Sequence, residues 1–438
     1  MRMKHKTIHI LLLALLLVPV FLKAQDTLTV MQYNLLYYGN YQSGYADCYE
    51  TNNNTQQKDE YIRTILDYVK PDIFTVCEFG ATQTLLDDFM RHNLNIGNVN
   101  YWQTDNILNY ASSNIINHIF FDSRKLGLKK HVALHTTPRD TDIYELYLKT
   151  PSLAAGDTVS LVCIVAHLKA GNTASDRNKR SEQLQTTMYY VSQHYAKDNV
   201  LIMGDFNLYG ASENGYKLLT QTYNDPEALF KDPLYEVGGV GEWDYNSQYA
   251  QYHTQATHRD NEECFSYGGL DSRFDFILMS YETAYGYNHL RYVRNSYKAV
   301  GNDGRHYNQS VNQGTNAAVP PEVADALYGC SDHLPVTMKI FTDVSVGVDE
   351  SEMPSMEASI APNPASDVAK VSFFNPSAGV VQFELFSLQG QLLKRHSEHF
   401  MNGAQQHIIE LQDLMKGFYV LRIKHEEGFC QSLKIFVD

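Results

Sequence analysis

Apolar runs typical of β-strands recur along residues 26–343, and polar or helical segments separate them. The runs are TLTVMQYNLL, DIFTVCE, NIINHIFFD, TVSLVCIVAHL, NVLIMGDF, RFDFILMS and LPVTMKIF. Strands that alternate with helices are typical of an α/β domain, and the number of runs favours two sheets rather than one. We therefore predict an α/β fold for this region.

Two segments of the same region have a helical period. One covers residues 58–69, and the other follows Ser175, which we predict to be its N-cap. Both place large apolar residues three or four positions apart, so each helix has one face to bury. The apolar positions are Ile62, Ile65, Leu66 and Val69 in the first segment and Leu184, Met188 and Val191 in the second.

The remaining long stretches carry no period. Residues 243–264 and 281–330 are rich in Tyr, Asn and Gly, so we predict them to be loops, and loops of that length usually shape function. Residues 344–358 are acidic and predict a linker. Residues 359–438 hold short alternating segments between Gly, Pro and Asn signals, which predicts a small all-β sandwich domain.

The first residues have the features of a secretory signal peptide. The start is basic, an apolar run covers residues 8–22, and the small residue Ala24 precedes Gln25. This run is shorter than the ~20 residues that a membrane-spanning helix needs. We therefore predict a signal peptide over residues 1–24, export of the chain and no stable membrane insertion.

Length and net charge limit the number of domains and the ligands that the chain is expected to bind. A chain of 438 residues exceeds what one hydrophobic core organises, so at least two domains are expected. The formal net charge of −15 repels polyanions and argues against tight non-specific binding of nucleic acid. It does not exclude cleavage of nucleic acid, because a local cleft with bound cations can differ in sign from the whole.

The chain has six cysteines, and two of them lie in apolar strand-like runs. We predict that Cys77 and Cys163 are small buried hydrophobic residues, and we expect no disulfide framework. No CxxC pair or Cys/His cluster has the spacing of a structural zinc site.

Polar side chains follow several predicted strands, which is where a site at the edge of packed sheets needs them. Asn34 follows an apolar strand, although alone it is typical of a turn. Glu78 ends a strand that appears apolar throughout, so its carboxylate needs either a metal ion or an ion-pair partner. His167 ends the most apolar strand, and it is either a satisfied core residue or part of a site.

The segment NVLIMGDFNL contains the strongest local signal. Its strand breaks at Gly204 and presents Asp205 and Asn207 on one face, an oxygen-rich pair that suits a hard cation. An Asp/Asn pair at the end of a strand is also common without metal. This segment therefore becomes informative only together with the others.

Two later segments and one helix start complete the inventory. Asp271, Arg273 and Asp275 share one face of an extended segment, and Asp332 with His333 immediately precedes a strand. Of this last pair, one residue can face a metal while the next faces a phosphate. Two arginines at the start of the second helix could reach an anion or lie on a solvated face; they are Arg177 and Arg180.

Taken in this order, the segments resemble the endonuclease/exonuclease/phosphatase superfamily. The most specific pieces are GDFN at 204–207 and SDHLPV at 331–336, whereas YNLL, VCE, HLKAG and RFD are weaker but correctly ordered. The resemblance covers nearly all of residues 26–343. It implies a four-layer αββα sandwich, with two sheets face to face and helices outside.

The resemblance also implies roles for individual residues. Glu78 and Asp332 would hold a divalent cation, most often Mg²⁺ and alternatively Mn²⁺ or Ca²⁺, with Asn34 close by. Asp205 and Asn207 would contact a second metal or the phosphate. The predicted metal-site residues are Glu78, Asp332, Asn34, Asp205 and Asn207.

The remaining implied roles concern the water and the phosphate. Asp275 would orient His333, which would take a proton from the attacking water, and His167 would contact the phosphate. The predicted catalytic residues are His333, Asp275, Asp205, Asn207 and His167. The predicted phosphate-binding residues are Arg180, Arg177 and Arg273.

The C-terminal segment resembles the sorting domain of type IX secretion. The resemblance rests on APNPASD near its start, MKGFYVLRIKHEEG in its second half and SLKIFV at its end. It implies that residues 359–438 address the chain to secretion machinery and take no part in catalysis.

These observations predict an exported, divalent-metal-dependent phosphoesterase, expected to act as a monomer. An endonuclease that hydrolyses nucleic-acid phosphodiesters is the first hypothesis, because extracellular nucleic acid is an available nutrient. The alternative is a phosphatase or phosphodiesterase acting on a small-molecule or lipid phosphate ester, which the acidic charge favours. A binding module without catalysis is a third hypothesis, but it would not need the carboxylates and histidines.

Overall fold

The computed structural model describes residues 26–40, 48–150, 158–237, 240–344, 356, 358–387, 392–426 and 430–438. The chain divides into two compact units, with the boundary between residues 346 and 347. The predicted signal peptide and nearly all of the predicted linker lie outside the described residues. Within the described part of the chain, no helix is long and apolar enough to cross a membrane.

The first unit is built from strands β1–β13 and helices α1–α6. The strands are β1 Asp26–Tyr38, β2 Ile73–Gly80, β3 Trp102–Gln103, β4 Ile115–Asp122, β5 Leu126–Leu134, β6 Thr141–Leu148, β7 Ser160–His167, β8 Val200–Asp205, β9 Phe230–Lys231, β10 Asp275–Ser280, β11 Leu290–Tyr292, β12 Lys298–Ala299 and β13 Val336–Thr342. The helices are α1 Thr55–Val69, α2 Gln83–Phe89, α3 Ala174–His194, α4 Asn214–Thr220, α5 Tyr281–Tyr285 and α6 Pro321–Cys330. Short helical turns cover Met90–Leu94, Pro226–Ala228, Pro233–Val237 and Ser247–Tyr252.

The strands form two mixed sheets that pack face to face. The first has the order β11-β13-β1-β2-β4-β3, with β12 on β13, and the second has the order β5-β6-β7-β8-β10-β9. One apolar cluster joins residues of both sheets, such as Val30 and Ile73 from the first and Leu146 and Ile164 from the second. Every residue of β2 and β8 is buried, because each sheet is covered on its other face as well.

Helices form the two outer layers. Ile62 and Ile65 of α1 and Leu327 of α6 belong to the cluster that covers the outer face of the first sheet. Leu184 of α3 and Leu219 of α4 belong to the cluster of the second sheet. The four layers confirm the predicted αββα sandwich.

The helix boundaries differ from the prediction where polar side chains form the caps. Helix α1 begins three residues earlier than predicted, because the side chain of Asn54 accepts a hydrogen bond from the backbone N–H of Gln57. The N-cap of α3 is Thr173 and not Ser175, because Thr173 and Asp176 cap each other's backbone N–H groups.

The prediction that residues 281–330 form a loop is wrong for part of that segment. It contains the helices α5 and α6 and the short strands β11 and β12. Helix α6 starts with Pro at its first position and buries Val323, Ala326 and Leu327. Small apolar residues among the Tyr- and Asn-rich neighbours hid this periodicity.

Among the described residues there is one disulfide, although the apolar runs around Cys77 and Cys163 had led us to expect no disulfide framework. Cys48 and Cys264 are bonded across 216 positions of the sequence, and they pack against Leu36. Cys77 and Cys163 are free and buried, as predicted from their apolar runs. The bonded pair lies outside apolar runs, so neither its pattern nor its spacing indicated a partner.

The second unit is an all-β sandwich, as predicted. Its strands are β14 Ser359–Ala361, β15 Val368–Asn375, β16 Gly379–Ser387, β17 Leu392–Phe400, β18 Gly403–Glu410, β19 Gly417–His425 and β20 Cys430–Val437. They form one sheet with the order β14-β15-β18 and another with the order β17-β16-β19-β20. Alternating residues such as Val371, Phe373, Phe383 and Leu421 fill the core between the sheets.

Candidate functional site

The candidate site lies where strands of both sheets of the first unit end side by side. In the second sheet, His167 of β7 and Asp275 of β10 are both in register with Asp205 of β8. In the first sheet, Asn34 of β1 lies beside the backbone next to Glu78 of β2. The fold therefore brings these five side chains, which are far apart in the sequence, to one edge of the sandwich.

Irregular backbone directs two of these side chains. The pairing of β1 with β2 shifts after Asn34, and the pairing of β2 with β4 shifts between Val76 and Phe79. Glu78 lies within the second shift and has a φ of 56°, a left-handed conformation that is unfavourable for a residue with a side chain. Irregularities of this kind re-aim side chains beside functional sites.

Asn34 connects the two sheets through its amide group. Its Nδ2 donates to Glu78 Oε1 and to Asp205 Oδ2, each at 3.0 Å. Its Oδ1 accepts from the backbone N–H of Leu36 at 2.9 Å, which fixes the orientation of the amide. Asn34 is fully buried, so these bonds position carboxylates of both sheets against each other.

His333 and Asp275 form a close buried pair. His333 Nδ1 lies 2.6 Å from Asp275 Oδ2, and the hydroxyl of Thr254 donates to the same oxygen at 2.8 Å. The other ring nitrogen, Nε2, lies 3.8 Å from Asp205 Oδ2 and 3.9 Å from Asp332 Oδ1. Because Asp275 holds Nδ1, the Nε2 atom of His333 is the one that faces the cluster.

The carboxylates around His333 also determine its charge. Burial alone lowers the pKa of His333, but Asp275, Asp332 and Asp205 together outweigh it and raise the pKa well above its ordinary value. In the absence of a further positive charge, this imidazole is therefore protonated near neutral pH.

His167 has the opposite electrostatic environment. Burial, followed by the charges of Arg139 and His333, lowers its pKa well below the ordinary value, so the ring is neutral. Its Nε2 lies 3.4 Å from Asp205 Oδ2 and 3.7 Å from Glu78 Oε1. Its Nδ1 is buried without a hydrogen-bond partner among the described residues.

The acidic side chains destabilise one another. Burial raises the pKa of Glu78, Asp332 raises it further, and His333 and Asn34 only partly oppose the shift. Burial also raises the pKa of Asp205 to about 7, against the opposing charge of His333. Asp332 Oδ1 is buried and accepts no hydrogen bond in the described part of the chain. This crowding of acidic groups provides a strong reason for a cation to bind.

The donor set fits a hard divalent cation. Glu78 and Asp205 with His167 form one group of convergent ligand atoms, and Asp205 and Asp275 with His333 form another. Carboxylate oxygens are the ligands that Mg²⁺ and Mn²⁺ prefer, and the unpartnered oxygen of Asp332 is one more. A cation beside Glu78 and Asp332 would relieve the repulsion that raises the pKa of Glu78.

The turn after β8 depends on glycine. Gly204 has a φ of 146°, and a Cβ atom there would lie 1.8 Å from the carbonyl oxygen of Ala166. Three residues after Gly204, the backbone N–H of Asn207 donates to Asp205 Oδ1 at 3.0 Å, and the Nδ2 of Asn207 donates to the oxygen of Leu168 at 3.4 Å. Asn207 also has a positive φ, of 49°. This turn holds Asp205 in place from its own backbone.

The three arginines predicted to bind phosphate make their bonds elsewhere. Arg273 is fully buried and donates two hydrogen bonds to Asp232, at 2.8 and 3.0 Å. Arg180 is fully buried and donates to Glu213 at 2.7 Å, whereas Arg177 is exposed and donates to Asn172. We therefore assign Arg180 and Arg273 to structural ion pairs, which the sequence could not reveal because the acidic partners are 33 and 41 positions away.

Several residues of the candidate site were not predicted from the sequence. Gln255 Nε2 lies 3.0 Å from Asp332 Oδ2 and 2.8 Å from His333 Nε2. Arg139 donates to the backbone oxygen of His167 at 3.1 Å. Gln255 and Thr254 come from the segment predicted as a loop, where no periodicity points to a site, so only the three-dimensional structure reveals them.

Comparison with known families identifies the C-terminal unit. Residues 359–438 match the family described as the secretion system C-terminal sorting domain. This unit is a secretion sorting domain. The sorting domain indicates export of the chain to the cell surface or beyond it. No curated protein matches the chain in a sequence search.

Several solved structures are similar to this chain at low sequence identity. A humanized Danio rerio TDP2 is 13% identical and covers 72% of this chain and 98% of its own, with a TM-score of 0.43. The human nocturnin catalytic domain is 14% identical over 73% and 98%, with a TM-score of 0.41. An endonuclease/exonuclease/phosphatase from Beutenbergia cavernae is 12% identical over 94% and 100%, with a TM-score of 0.39. Identities this low do not transfer a substrate to this chain.

Proposed function

We propose that this chain is an exported, divalent-metal-dependent phosphoesterase. The observation that supports this most directly is the His333–Asp275 pair, 2.6 Å apart, whose Nε2 side faces the buried carboxylates Asp205 and Asp332. An imidazole oriented by a carboxylate is a general base, and crowded carboxylates are a site for a cation. Phosphoester hydrolysis needs both.

Glu78 and Asp332, with Asn34 beside them, are the proposed ligands of Mg²⁺, and Mn²⁺ or Ca²⁺ is the alternative. Asp205 and Asn207 would contact a second ion or the phosphate. When bound, a divalent cation neutralises phosphate oxygens and polarises the phosphorus.

His333 takes the proton of the attacking water at Nε2, while Asp275 keeps the other ring proton at Nδ1. A base must be neutral before it accepts a proton, and the raised pKa of His333 opposes this. Asp332 is one cause of that raised pKa, so a cation that binds Asp332 also makes it easier for the ring to lose its proton. Cation binding and base activation are thereby coupled.

His167 is the proposed contact for the phosphate. Its ring is neutral, so it offers one N–H group and does not compete with the cation for the carboxylates. Asp205, whose pKa is about 7, is close to both histidines and balances their charge as the proton moves.

For the substrate, we propose a phosphodiester of nucleic acid first. The formal net charge of −15 favours a small-molecule or lipid phosphate ester as the second candidate, because an acidic surface repels a polyanion. Purified full-length chain with Mg²⁺ should be compared on plasmid DNA, RNA, bis-nitrophenyl phosphate and inositol phosphates. Intact nucleic acid beside a hydrolysed small ester would exclude the first candidate.

The catalytic assignment is tested with matched histidine variants. We expect His333→Gln to lower kcat by about 10²–10⁴-fold, the usual contribution of a general base. His194→Gln is the control, because His194 is exposed at the end of α3. Equal activity of the two variants, with both folded by circular dichroism, would contradict the assignment.

Secretion is the other part of the proposal. We propose that residues 1–24 are a signal peptide and that residues 359–438 engage type IX secretion machinery. Deletion of residues 358–438 should leave an active enzyme in the periplasm. Unchanged release of the shortened chain into the medium would contradict this role.

A further inference from the structure

The sorting domain has a group of three polar residues at the seam, which is the place where the edge strands β17 and β18 of its two sheets lie beside each other. Strands β17 and β18 are edge strands of the two sheets. They lie beside each other, because a side chain of β18, His407, reaches Glu398 of β17. On β17, His396 and Glu398 pair with Phe383 and Val381 of β16, whose side chains are in the core. On β18, His407 pairs with Val371 of β15, which is also in the core.

Cross-strand neighbours point to the same face of a sheet, so these three side chains lie on the face that carries the core. At the edge of that face, His407 is largely buried, with 14% of its side chain exposed, whereas His396 and Glu398 are 57% and 50% exposed. Apolar residues occupy the corresponding inward positions further along the strands, namely Phe400 on β17 and Ile409 on β18. The edge of the sandwich therefore carries two imidazoles and one carboxylate beside the apolar core that the two sheets share.

The three side chains converge closely. Glu398 Oε2 lies 3.1 Å from His407 Nδ1 and 3.7 Å from His396 Nε2. The two imidazole rings are nearly parallel, with centroids 4.9 Å apart and planes inclined by 13°. His407 also stacks on Phe383 with a centroid distance of 4.1 Å, which holds its ring in place.

We infer that His396, Glu398 and His407 form a binding site for a transition-metal dication of the zinc type. Two imidazoles with one carboxylate are a ligand set that zinc prefers, and one ligand atom from each residue lies within 4.8 Å of the others. Tetrahedral coordination at ~2.0–2.2 Å requires these atoms to approach by only a small side-chain movement. A cavity of about 560 Å³, lined by His396, His407 and Glu410, gives an ion access from solvent.

The site would connect the two sheets. His396 and Glu398 belong to one sheet and His407 to the other, so one ion would bridge two edge strands that share no backbone hydrogen bonds. The alternative is that charged inward residues merely protect the edge strands from pairing with other chains. The two explanations differ in one measurable property, which is affinity for the metal.

Zinc binding to the full-length chain distinguishes them. The catalytic cluster could also bind zinc, so the titration should be performed in the Glu78→Gln/Asp205→Asn background. We expect one equivalent to bind in this background, and His396→Ala to weaken its affinity by more than the roughly 10–100-fold that loss of an outer partner of a ligand causes. His399→Ala is the matched control, because His399 is exposed on the same strand and points to the opposite face.

A second measurement locates the ion. Crystals soaked in zinc should show anomalous scattering between His396 and His407, and His407→Phe should remove the peak while preserving the stack on Phe383. If His396→Ala and His399→Ala bind zinc equally, or if no ion appears at the seam, the three residues protect the edges and the proposed site is wrong.

Discussion

His333 is placed between carboxylates that act on its two nitrogens in different ways. Asp275 accepts from Nδ1 at 2.6 Å, whereas Asp205 and Asp332 lie near Nε2 and do not contact it directly. This asymmetry separates the group that orients the ring from the groups that set its charge. A substitution at Asp275 therefore changes both the orientation and the pKa of the imidazole.

For Asp275→Asn, we expect kcat to fall by about 10²–10⁴-fold with little change in KM, because the amide no longer favours the productive ring tautomer. The activity of an enzyme that uses a general base rises as the pH increases through the pKa of that base. Asp275 raises the pKa of His333, so its loss should move the acidic limb of residual activity to lower pH. A kcat profile against pH measures both effects, and a limb that stays in place would contradict the pairing.

Gly204 offers a second test at this scale. Substitution by Ala forces a Cβ atom against the oxygen of Ala166, so backbone must move and Asp205 with it. We expect a loss of about 2 kcal/mol or more in the free energy of unfolding, measured with urea, together with lost activity. Gly97→Ala is the control, because Gly97 also has a positive φ but no neighbour within 4 Å of the added Cβ. Equal losses of stability in the two variants would show that the positive φ, and not the contact with Ala166, causes the effect.

Residues with a local signal could be predicted, and residues without one could not. Asp205 and Asn207 follow an interrupted apolar strand, so their position is visible in the sequence. Gln255 reaches His333 from 78 positions away, through a segment that has no periodicity. Arg180 and Arg273 are a case of the same kind, because in the sequence an arginine in a buried ion pair looks the same as a free one until its acidic partner, 33 or 41 positions away, is located.

Among the elements, the strands of the sorting domain depend on a buried ion-pair network. Glu384 of β16 accepts hydrogen bonds from Arg395 of β17 and from Arg422 of β19, at 2.9 and 2.8 Å. Burial raises the pKa of Glu384, but the bonds from Arg422 and Arg395 outweigh it, so the pKa lies below the ordinary value of 4.5. Three neighbouring strands are thus held by one carboxylate.

A lowered pKa means that this carboxylate stabilises the fold above about pH 4.5 and that the contribution disappears as pH falls through the folded pKa. We expect Glu384→Gln to destabilise the sorting domain by about 1 kcal/mol at neutral pH, a small effect because both arginines are partly exposed. The difference from the parent chain should vanish in acid. Hydrogen exchange of β16, β17 and β19 in the full-length chain measures it, and a difference independent of pH would exclude the ionic cause.

Elements with a clear period were predictable, and those without were not. The seven strand-like runs of the first unit lie in strands of the structure because a short apolar run is a local property of the sequence. Helix α6 was missed since only ten residues carry its period, inside a segment rich in turn-forming residues. The cap of α3 was misplaced by two residues because Thr173 and Ser175 are chemically similar N-caps.

At the scale of the molecule, the Cys48–Cys264 bond closes a loop of 216 positions and packs against Leu36. The neighbouring residue, Tyr37, donates its backbone N–H to Glu78 Oε2 at 3.1 Å. The disulfide therefore supports the backbone that holds a proposed cation ligand. Loss of a bond that closes so long a loop destabilises a protein by about 2–4 kcal/mol.

We expect the Cys48→Ala/Cys264→Ala substitutions to lower the melting temperature of the first unit. We also expect them to weaken Mg²⁺ binding, so that a higher Mg²⁺ concentration is needed for the half-maximal rate. A reducing agent should affect the parent chain in the same way and leave the variant unchanged. The thiols of Cys77 and Cys163 are free and buried, so a reductant has no bond to break at those positions. An unaltered Mg²⁺ requirement would separate the disulfide from the site.

Disulfides form in oxidising compartments and are rare in the cytosol. A chain still in the cytosol would therefore lack the Cys48–Cys264 bond, which packs against Leu36 next to the residue that donates to Glu78. Under the proposed function, we expect the finished enzyme to exist only after it has crossed the inner membrane. Before export, the cell's own phosphoesters would then meet only the less stable form without the disulfide, which needs more Mg²⁺.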